Sequence, residues 1–284
     1  MSLSYRAFTD KKRGKLCQDQ VQDFLYEFMS IKEKFSQVHL VNFDETAWWL
    51  TLTPKRTLTQ KGAAEVRVNT DEKKQNFTAI ASVTLSGKKL PLYFLARAKT
   101  NLCHRQFSDE KCHIDETKNP VFHSPSGWTN SEIAGKYLRW LRNELTGEKR
   151  NSEIVLIWDS YPCHHSPETL QIAKEEKIRI LLVPPNATFL LQALDRGVLG
   201  PLKRIGDKLW LDKYMNCPLS AMTTPKSAQL LLEAWEKITK ECIVSSWDLP
   251  LPDEFEGMAS ALTTEDNFAD PLYEFPDDEL GIDS

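Results

Sequence analysis

The sequence lacks a long apolar run and has few cysteines, and each shortage excludes a class of protein. Nowhere in its 284 residues does an apolar stretch approach the ~20 residues of a membrane-spanning helix, so we do not expect a membrane protein. The first residues, Met1 to Arg6, lack the apolar stretch of a secretory signal, which predicts an intracellular protein. Six cysteines are scattered along the chain, as is typical of reduced thiols in the cytosol or nucleus.

Basic residues are absent from the C-terminal part of the chain. From Pro252 onward the sequence has eleven Asp or Glu and no Lys or Arg. This composition predicts a disordered acidic tail over residues 248–284. The preceding part is net basic, and residues 54–118 contain thirteen basic and seven acidic side chains. Such a basic region favours a polyanionic partner, although an ordinary solvated surface explains it as well.

Apolar periodicity predicts an α/β fold in which helices flank a mixed sheet. Strands are predicted over residues 38–44, 64–68, 77–85, 90–96, 153–158 and 178–183, and helices over 18–35, 129–145, 195–214, 226–246 and onward from Ser166. The early strands form an antiparallel meander, and residues 100–127 are predicted to be a long loop. The later alternation of strand and helix indicates parallel strands joined by right-handed crossovers. This combination is that of a ribonuclease-H-like sheet.

Three acidic residues come at the ends of predicted elements. Asp44 ends the first buried strand, Asp159 ends the apolar run 154–158, and Asp195 opens a helix after the last strand. Because ligands bind at the carboxyl ends of parallel strands, we expect these side chains to lie together. Three carboxylates can hold two metal ions about 3.5–4 Å apart, an arrangement that polymerases and nucleases use. The alternative, that each acid caps a helix or ends a strand for structural reasons, stays open.

The segments around these acids resemble the DDE superfamily endonucleases, specifically the pogo/Tigger/jerky branch of the mariner-like transposases. The resemblance is carried by Asn42-Phe-Asp-Glu-Thr46, by Trp158-Asp-Ser-Tyr-Pro-Cys-His164, by Val183-Pro-Pro-Asn-Ala-Thr188 and by Leu191-Gln-Ala-Leu-Asp-Arg-Gly197. It covers roughly residues 38–245. Ser160 stands where the family usually has Asn, and Ala193 where it usually has Pro; neither difference removes a carboxylate.

The resemblance implies a metal-dependent DNA endonuclease that joins the freed 3′-end to target DNA. It implies that Asp44, Asp159 and Asp195 are catalytic and bind two Mg²⁺ or Mn²⁺ ions. His164 and Glu45 are expected beside this site, where they would orient its ligands. The implied partner is DNA, contacted through its backbone, the implied location is the nucleus, and a homodimer is a further expectation.

The resemblance also predicts how the chain is divided. An N-terminal helical segment is expected over residues 1–37, the catalytic domain over 38–247 and the acidic tail over 248–284. Only 43 residues precede Asp44, too few for the paired helix-turn-helix regions that family members carry ahead of the catalytic domain. Sequence-specific recognition of DNA is therefore not expected from this chain alone.

Two other functions remain open at this point. The chain can be a catalytically silent transposase derivative, truncated or recruited by the host, that binds nucleic acid or protein. It can also be a ribonuclease-H-like nuclease that acts on RNA–DNA hybrids or junctions. Salt-sensitive DNA binding without nicking favours the first alternative, and activity on hybrids alone favours the second.

Two cysteine patterns are only weak indications of a functional site. Cys103-His104 and Cys112-His113 resemble a zinc site, but the paired ligands of zinc are usually separated by two to four residues. Cys163 lies next to His164 and His165, yet a nucleophile needs a base within hydrogen-bond reach, and adjacent side chains generally point apart. We therefore expect neither a zinc site nor a cysteine nucleophile.

Overall fold

The protein was analysed as a computed structural model that describes residues 3–7, 16–34, 38–50, 56–60, 76–100, 107, 114–146, 153–214 and 222–256. The strands are β1 Leu3–Ala7, β2 Val38–Trp49, β3 Arg56–Gln60, β4 Asn76–Thr84, β5 Tyr93–Arg97, β6 Val121–Ser124, β7 Glu153–Asp159 and β8 Ile178–Val183. The α-helices are α1 Gln18–Glu33, α2 Ser131–Thr146, α3 Pro167–Glu175, α4 Thr188–Leu191, α5 Leu199–Tyr214, α6 Thr224–Glu236 and α7 Lys240–Ser246. A 3₁₀ turn covers Pro162–His165, and a π-helical turn covers Leu194–Val198.

A six-stranded mixed sheet forms the centre of the fold, with the strand order β6-β5-β4-β2-β7-β8. Strands β2, β4 and β5 are an antiparallel meander, as predicted. Strand β7 pairs with β2 in parallel, and β8 pairs with β7 in parallel. At the other side of the sheet, β6 lies parallel to β5. Strands β1 and β3 form a separate antiparallel pair. The predicted fold class, a mixed sheet flanked by helices, is confirmed.

Both faces of the sheet are covered, because the central strands are apolar on both sides. On one face, Leu40 and Trp48 of β2 belong to a cluster with residues of α1, α5, α6 and α7; we call this the α5 face. On the other face, Val41 and Phe43 pack with residues of α2 and α3; we call this the α2 face. Phe255, beyond α7, is also buried on the α5 face. The proposed divisions at residues 37 and 247 stay predictions.

Some element boundaries differ from the predicted ones, each for a local reason. Strand β2 continues through Asp44 to Trp49, because its second half pairs with β4. Helix α2 is capped by Asn130, whose Oδ1 accepts the N–H of Ile133 at 2.9 Å, rather than by the preceding threonine. The predicted helix 226–246 is two helices, since Thr239 caps α7.

Other differences concern irregular regions. Strand β6 lies within the predicted loop 100–127, where its parallel pairing with β5 overrides a polar local sequence. The predicted strand 64–68, most of the predicted acidic tail and the Cys103-His104 and Cys112-His113 pattern lie outside the described residues. None of the helices within the described ranges has the length and apolar character needed to cross a membrane.

Candidate active site

Asp44 and Asp159 occupy matching positions on neighbouring parallel strands. The parallel ladder between β2 and β7 ends at the pair Asn42–Ile157, and each aspartate lies two positions beyond that pair on its own strand. Residues two apart on a strand share a face, so both aspartates lie on the α5 side of the sheet. Because adjacent strands are about 4.8 Å apart, the two acids are neighbours where the parallel ladder of β2 and β7 ends. We call this carboxyl end of the ladder the edge of the sheet.

Asp195 reaches the same place from the π-helical turn Leu194–Val198, near enough to Asp44 to affect its pKa. Burial raises the pKa of Asp44 well above its ordinary value, and the nearby charges of Asp195 and Asp159 raise it further. The backbone N–H of Glu45 donates to Asp44 Oδ1 at 2.8 Å and opposes this shift. The edge therefore gathers three carboxyl groups, and ionisation of Asp44 is disfavoured there by burial and by its acidic neighbours.

Asp159 has a different partner, because the Nδ1 atom of His164 lies 2.6 Å from its Oδ1 atom. The N–H of Tyr161 donates to the same oxygen at 3.2 Å. Burial of the imidazole favours its neutral form, but the contacts with Asp159 and Cys163 outweigh this and raise the pKa of His164 to about 10. For Asp159, burial is outweighed by His164 in the same way, and the pKa of its carboxyl is lowered. His164 and Asp159 thus form an ion pair at neutral pH.

A cleft of about 260 Å³ opens at this edge. It is lined by Phe43, Asp44, Glu45, Trp128, Asp159, Tyr161 and His164. Burial raises the pKa of Glu45, against the opposing effects of Thr129 and His164. Trp128 and Tyr161 are each 52% exposed, which is high for aromatic side chains that line a cleft. The cleft therefore combines carboxylates, one imidazolium and two accessible aromatic rings.

The structure places the three predicted aspartates at one edge, but it does not arrange them as a closed metal cage. Across the described residues, no group of three or more His, Cys, Asp or Glu side chains is positioned to hold a metal ion. Asp195 lies near Asp44, whereas one oxygen of Asp159 is held by His164. The donor chemistry nevertheless fits, because carboxylate oxygens are the ligands that Mg²⁺ and Mn²⁺ prefer.

Sequence reasoning gave no role to Asn42, which is fully buried between the acidic segments. Its Nδ2 atom donates to the carbonyl of Ile157 and to Oε1 of Gln192, both at 3.1 Å. Its Oδ1 atom accepts the N–H of Leu194 at 2.8 Å. The available signal was its position in the first motif, two residues before Asp44.

Comparison with known sequences identifies the family of this chain and two similar proteins. The sequence model described as DDE superfamily endonuclease matches residues 74–247. The protein named Pogo transposable element with KRAB domain, from Mus musculus, is 25% identical over 219 residues, covering 72% of this chain and 34% of that protein. The chain therefore spans about a third of the length of that relative. A protein named MFS-type transporter clz9, from Cochliobolus lunatus, is 37% identical over 81 residues, covering 28% of this chain and 9% of that protein.

Solved transposase structures have the same fold. A pre-cleavage Mos1 transpososome superposes with a TM-score of 0.57 and 13% identity, covering 90% of this chain and 66% of that chain. The Mos1 mariner paired end complex with Mn gives a TM-score of 0.57 and 11% identity, covering 91% and 67%. At this level of identity the likeness concerns the fold alone, and it agrees with the predicted ribonuclease-H-like architecture.

Proposed function

The chain belongs to the DDE superfamily endonucleases, in the pogo/mariner branch, and from this we propose that it is a metal-dependent DNA endonuclease and strand transferase of a transposable element, or a derivative of one. The observation that carries the proposal is the convergence of Asp44, Asp159 and Asp195 at one edge of the sheet, close enough for the other two acids to raise the pKa of Asp44. The catalytic domain is proposed to extend over residues 38–247, with a nuclear location and a homodimeric state as part of the same hypothesis.

Asp44, Asp159 and Asp195 would hold the divalent cations, two Mg²⁺ or Mn²⁺ ions in this proposal. When bound, the ions would supply positive charge at the scissile phosphate and would activate a water molecule or a 3′-hydroxyl. The raised pKa of Asp44 supports a cation here, because a positive charge would relieve the repulsion that raises it. The Mos1 mariner paired end complex, which has a similar fold, is a crystal structure with Mn.

The other residues of the cleft orient these groups. His164 and the N–H of Tyr161 hold one oxygen of Asp159, which fixes the orientation of that carboxylate. Because His164 is a cation at neutral pH, it also offers a positive charge to a phosphate that enters the cleft. Glu45 lines the same cleft and adds a further hydrogen-bonding group.

Nucleic acid is the proposed partner because the cleft presents two aromatic rings beside the acids. Ser124 Oγ donates to the carbonyl of Trp128 at 2.7 Å, and Thr78 Oγ1 donates to the carbonyl of Gly127 at 2.9 Å. These bonds fix the loop that carries the exposed Trp128. Aromatic side chains bind nucleic acid by stacking on its bases, and Tyr161 offers a second such surface.

Nicking of supercoiled plasmid tests the proposal. The full chain should convert supercoiled DNA to open circles in Mg²⁺ or Mn²⁺ and should be inactive in a chelator. Asp159→Asn should reduce nicking to the level without metal, whereas Asp19→Asn, an exposed carboxylate on α1, should leave it unchanged. Nicking that survives Asp159→Asn would contradict the proposed active site.

A catalytically silent binding module is the second candidate. It is favoured by one observation, the ion pair that occupies an oxygen of Asp159. Salt-dependent DNA binding without nicking in either metal, by a chain that unfolds cooperatively, would select this candidate.

A further inference from the structure

We propose that Asn42 is the positioning residue that sets the geometry of the three acids and, through it, the affinity of the site for divalent cations. This inference rests on the proposed function, because it concerns how the same carboxylates are held. Asn42 is 0% exposed, and its amide contacts both of the other segments that carry an acid.

The first contact lies where strands β2 and β7 part. Their parallel ladder ends at the pair Asn42–Ile157, and Asp44 and Asp159 lie two residues beyond it on the two diverging chains. The bond from Asn42 Nδ2 to the Ile157 carbonyl, at 3.1 Å, joins the strands at this fork. At this position the bond opposes separation of the two segments that carry Asp44 and Asp159.

The second contact holds the turn that carries the third acid. Asp195 is not on the sheet, so its position depends on how the π-helical turn is attached. The N–H of Leu194, the residue before it, donates to Asn42 Oδ1 at 2.8 Å. Asn42 Nδ2 also donates to Gln192 Oε1 at 3.1 Å. The amide of Asn42 therefore fastens this turn to the strand that carries the first acid.

The orientation of the amide groups follows from their partners. A carbonyl accepts only, and an N–H donates only, so Asn42 must direct Nδ2 to Ile157 and Oδ1 to Leu194. Gln192 must then direct Oε1 to Asn42, which leaves its Nε2 atom buried without a hydrogen-bond partner among the described residues. An unpaired buried donor is unfavourable, and its presence indicates that the bond to Asn42 decides the orientation of Gln192.

Mn²⁺ titration of the full chain by calorimetry tests the inference, because it needs no catalysis. Groups that orient metal ligands typically contribute 10- to 100-fold in metal affinity. We expect Asn42→Ala to weaken Mn²⁺ binding by about that factor. The matched control is Ser82→Ala, which removes a buried hydrogen bond of 2.7 Å to Tyr137 from the adjacent strand β4 and should leave Mn²⁺ affinity unchanged.

Thermal unfolding of each variant, recorded alongside, keeps the test decisive. If Asn42→Ala does not fold, Gln192→Leu keeps Asn42 and removes only one of its bonds, and it should weaken Mn²⁺ binding by a smaller factor. The inference is overturned if folded Asn42→Ala, or folded Gln192→Leu in its place, binds Mn²⁺ as wild type does, or if Ser82→Ala loses as much affinity. A wild-type chain that binds no Mn²⁺ would overturn the proposed metal site itself, and the positioning role with it.

Discussion

His164 and Asp159 form an ion pair inside a cleft that otherwise gathers carboxylates, with 2.6 Å between Nδ1 and Oδ1. The imidazole also stacks on Trp158, with 4.3 Å between ring centroids and 13° between planes. The histidine is therefore held on one side by charge and on the other by an aromatic face. Because each partner shifts the pKa of the other, the stability of the protein must depend on pH through this pair.

His164→Gln should destabilise the protein most between about pH 4 and pH 6.5, where both partners are charged in the folded and unfolded chain alike. The pKa of His164 is raised to about 10, so its contribution is lost as pH rises from 6.5 through 10. The pKa of Asp159 is lowered, so its contribution is lost as pH falls below its ordinary range. Urea unfolding should show a loss of about 1.5 kcal/mol at pH 6, since Asp159 is partly open to solvent.

His165→Gln provides the control for this effect, because His165 is the adjacent residue and is exposed. It should change the free energy of unfolding by less than about 0.5 kcal/mol at every pH. A loss in His164→Gln that stays constant from pH 6 to pH 11 would show that the ion pair does not stabilise the fold.

Asp44→Asn should make the metal-free protein more stable at pH 7 while abolishing metal binding. The pKa of Asp44 is raised in the folded chain, so ionisation of this carboxyl costs folding free energy as pH rises above its ordinary pKa. Asparagine avoids that cost, and gains of about 0.5–2 kcal/mol are common when a functional site is relieved in this way. Calorimetric unfolding should show the gain at pH 7 and a smaller one at pH 4.

Addition of Mg²⁺ distinguishes the two expected effects of Asp44→Asn, the gain in stability and the loss of metal binding. A ligand that binds only the folded state raises its stability by mass action. Millimolar Mg²⁺ should therefore raise the unfolding temperature of wild type and of Asp19→Asn, but not that of Asp44→Asn. A variant that is less stable than wild type at pH 7 would mean that the Asp44 carboxylate is already compensated within the fold.

The fold could be predicted from the sequence largely because its strands are strongly apolar. The run before Asp159 reads as a strand buried on both faces, and the structure has β7 there. The sequence does not predict the extension of β2 beyond Asp44, because Glu45 and Thr46 interrupt the apolar pattern, whereas pairing with β4 holds them in the strand. Local periodicity thus identified the strands, while contacts between strands decided where they end.

The candidate site was predictable in its residue types but not in their contacts. The three aspartates could be located because each follows an apolar segment and lies in a family motif. The ion pair of Asp159 with His164 depends on the 3₁₀ turn Pro162–His165, which returns the chain towards β7. The π-helical turn around Asp195 likewise depends on packing against α7, a contact that spacing along the chain does not encode.

Gly197→Ala should displace the turn that carries Asp195. A Cβ atom at Gly197 would lie 2.8 Å from Cβ of Ser246 on α7, closer than two carbon atoms can pack. The thiol of Cys242 also donates to the Gly197 carbonyl at 3.2 Å, so helix and turn cannot separate freely. We expect a loss of about 1–3 kcal/mol in the free energy of unfolding, the usual effect of overpacking, together with weaker Mn²⁺ binding.

Gly200→Ala is the matched control, because Gly200 lies three residues later, in α5, where an added Cβ atom would meet nothing within 4 Å. It should raise stability by about 0.5–1 kcal/mol through helix propensity and leave Mn²⁺ affinity unchanged. Equal behaviour of the two alanine variants would show that α7 does not constrain the Asp195 turn.

Trp128→Ala should weaken the binding of single-stranded DNA without changing the fold. Trp128 is 52% exposed, so it contributes little to the core, yet it lines the cleft beside Asp44 and Asp159. Loss of one stacked base costs about 1–3 kcal/mol, which is about 5- to 150-fold in affinity. Fluorescence anisotropy in Ca²⁺ should show this loss for Trp128→Ala, a smaller one for Trp128→Phe and none for Tyr26→Ala, an equally exposed aromatic on α1.

An abasic oligonucleotide of the same length distinguishes stacking from backbone contacts. It should bind wild type and Trp128→Ala equally, because without bases only the phosphate contacts remain. If the abasic strand shows the same loss, Trp128 acts on the backbone of DNA rather than by stacking.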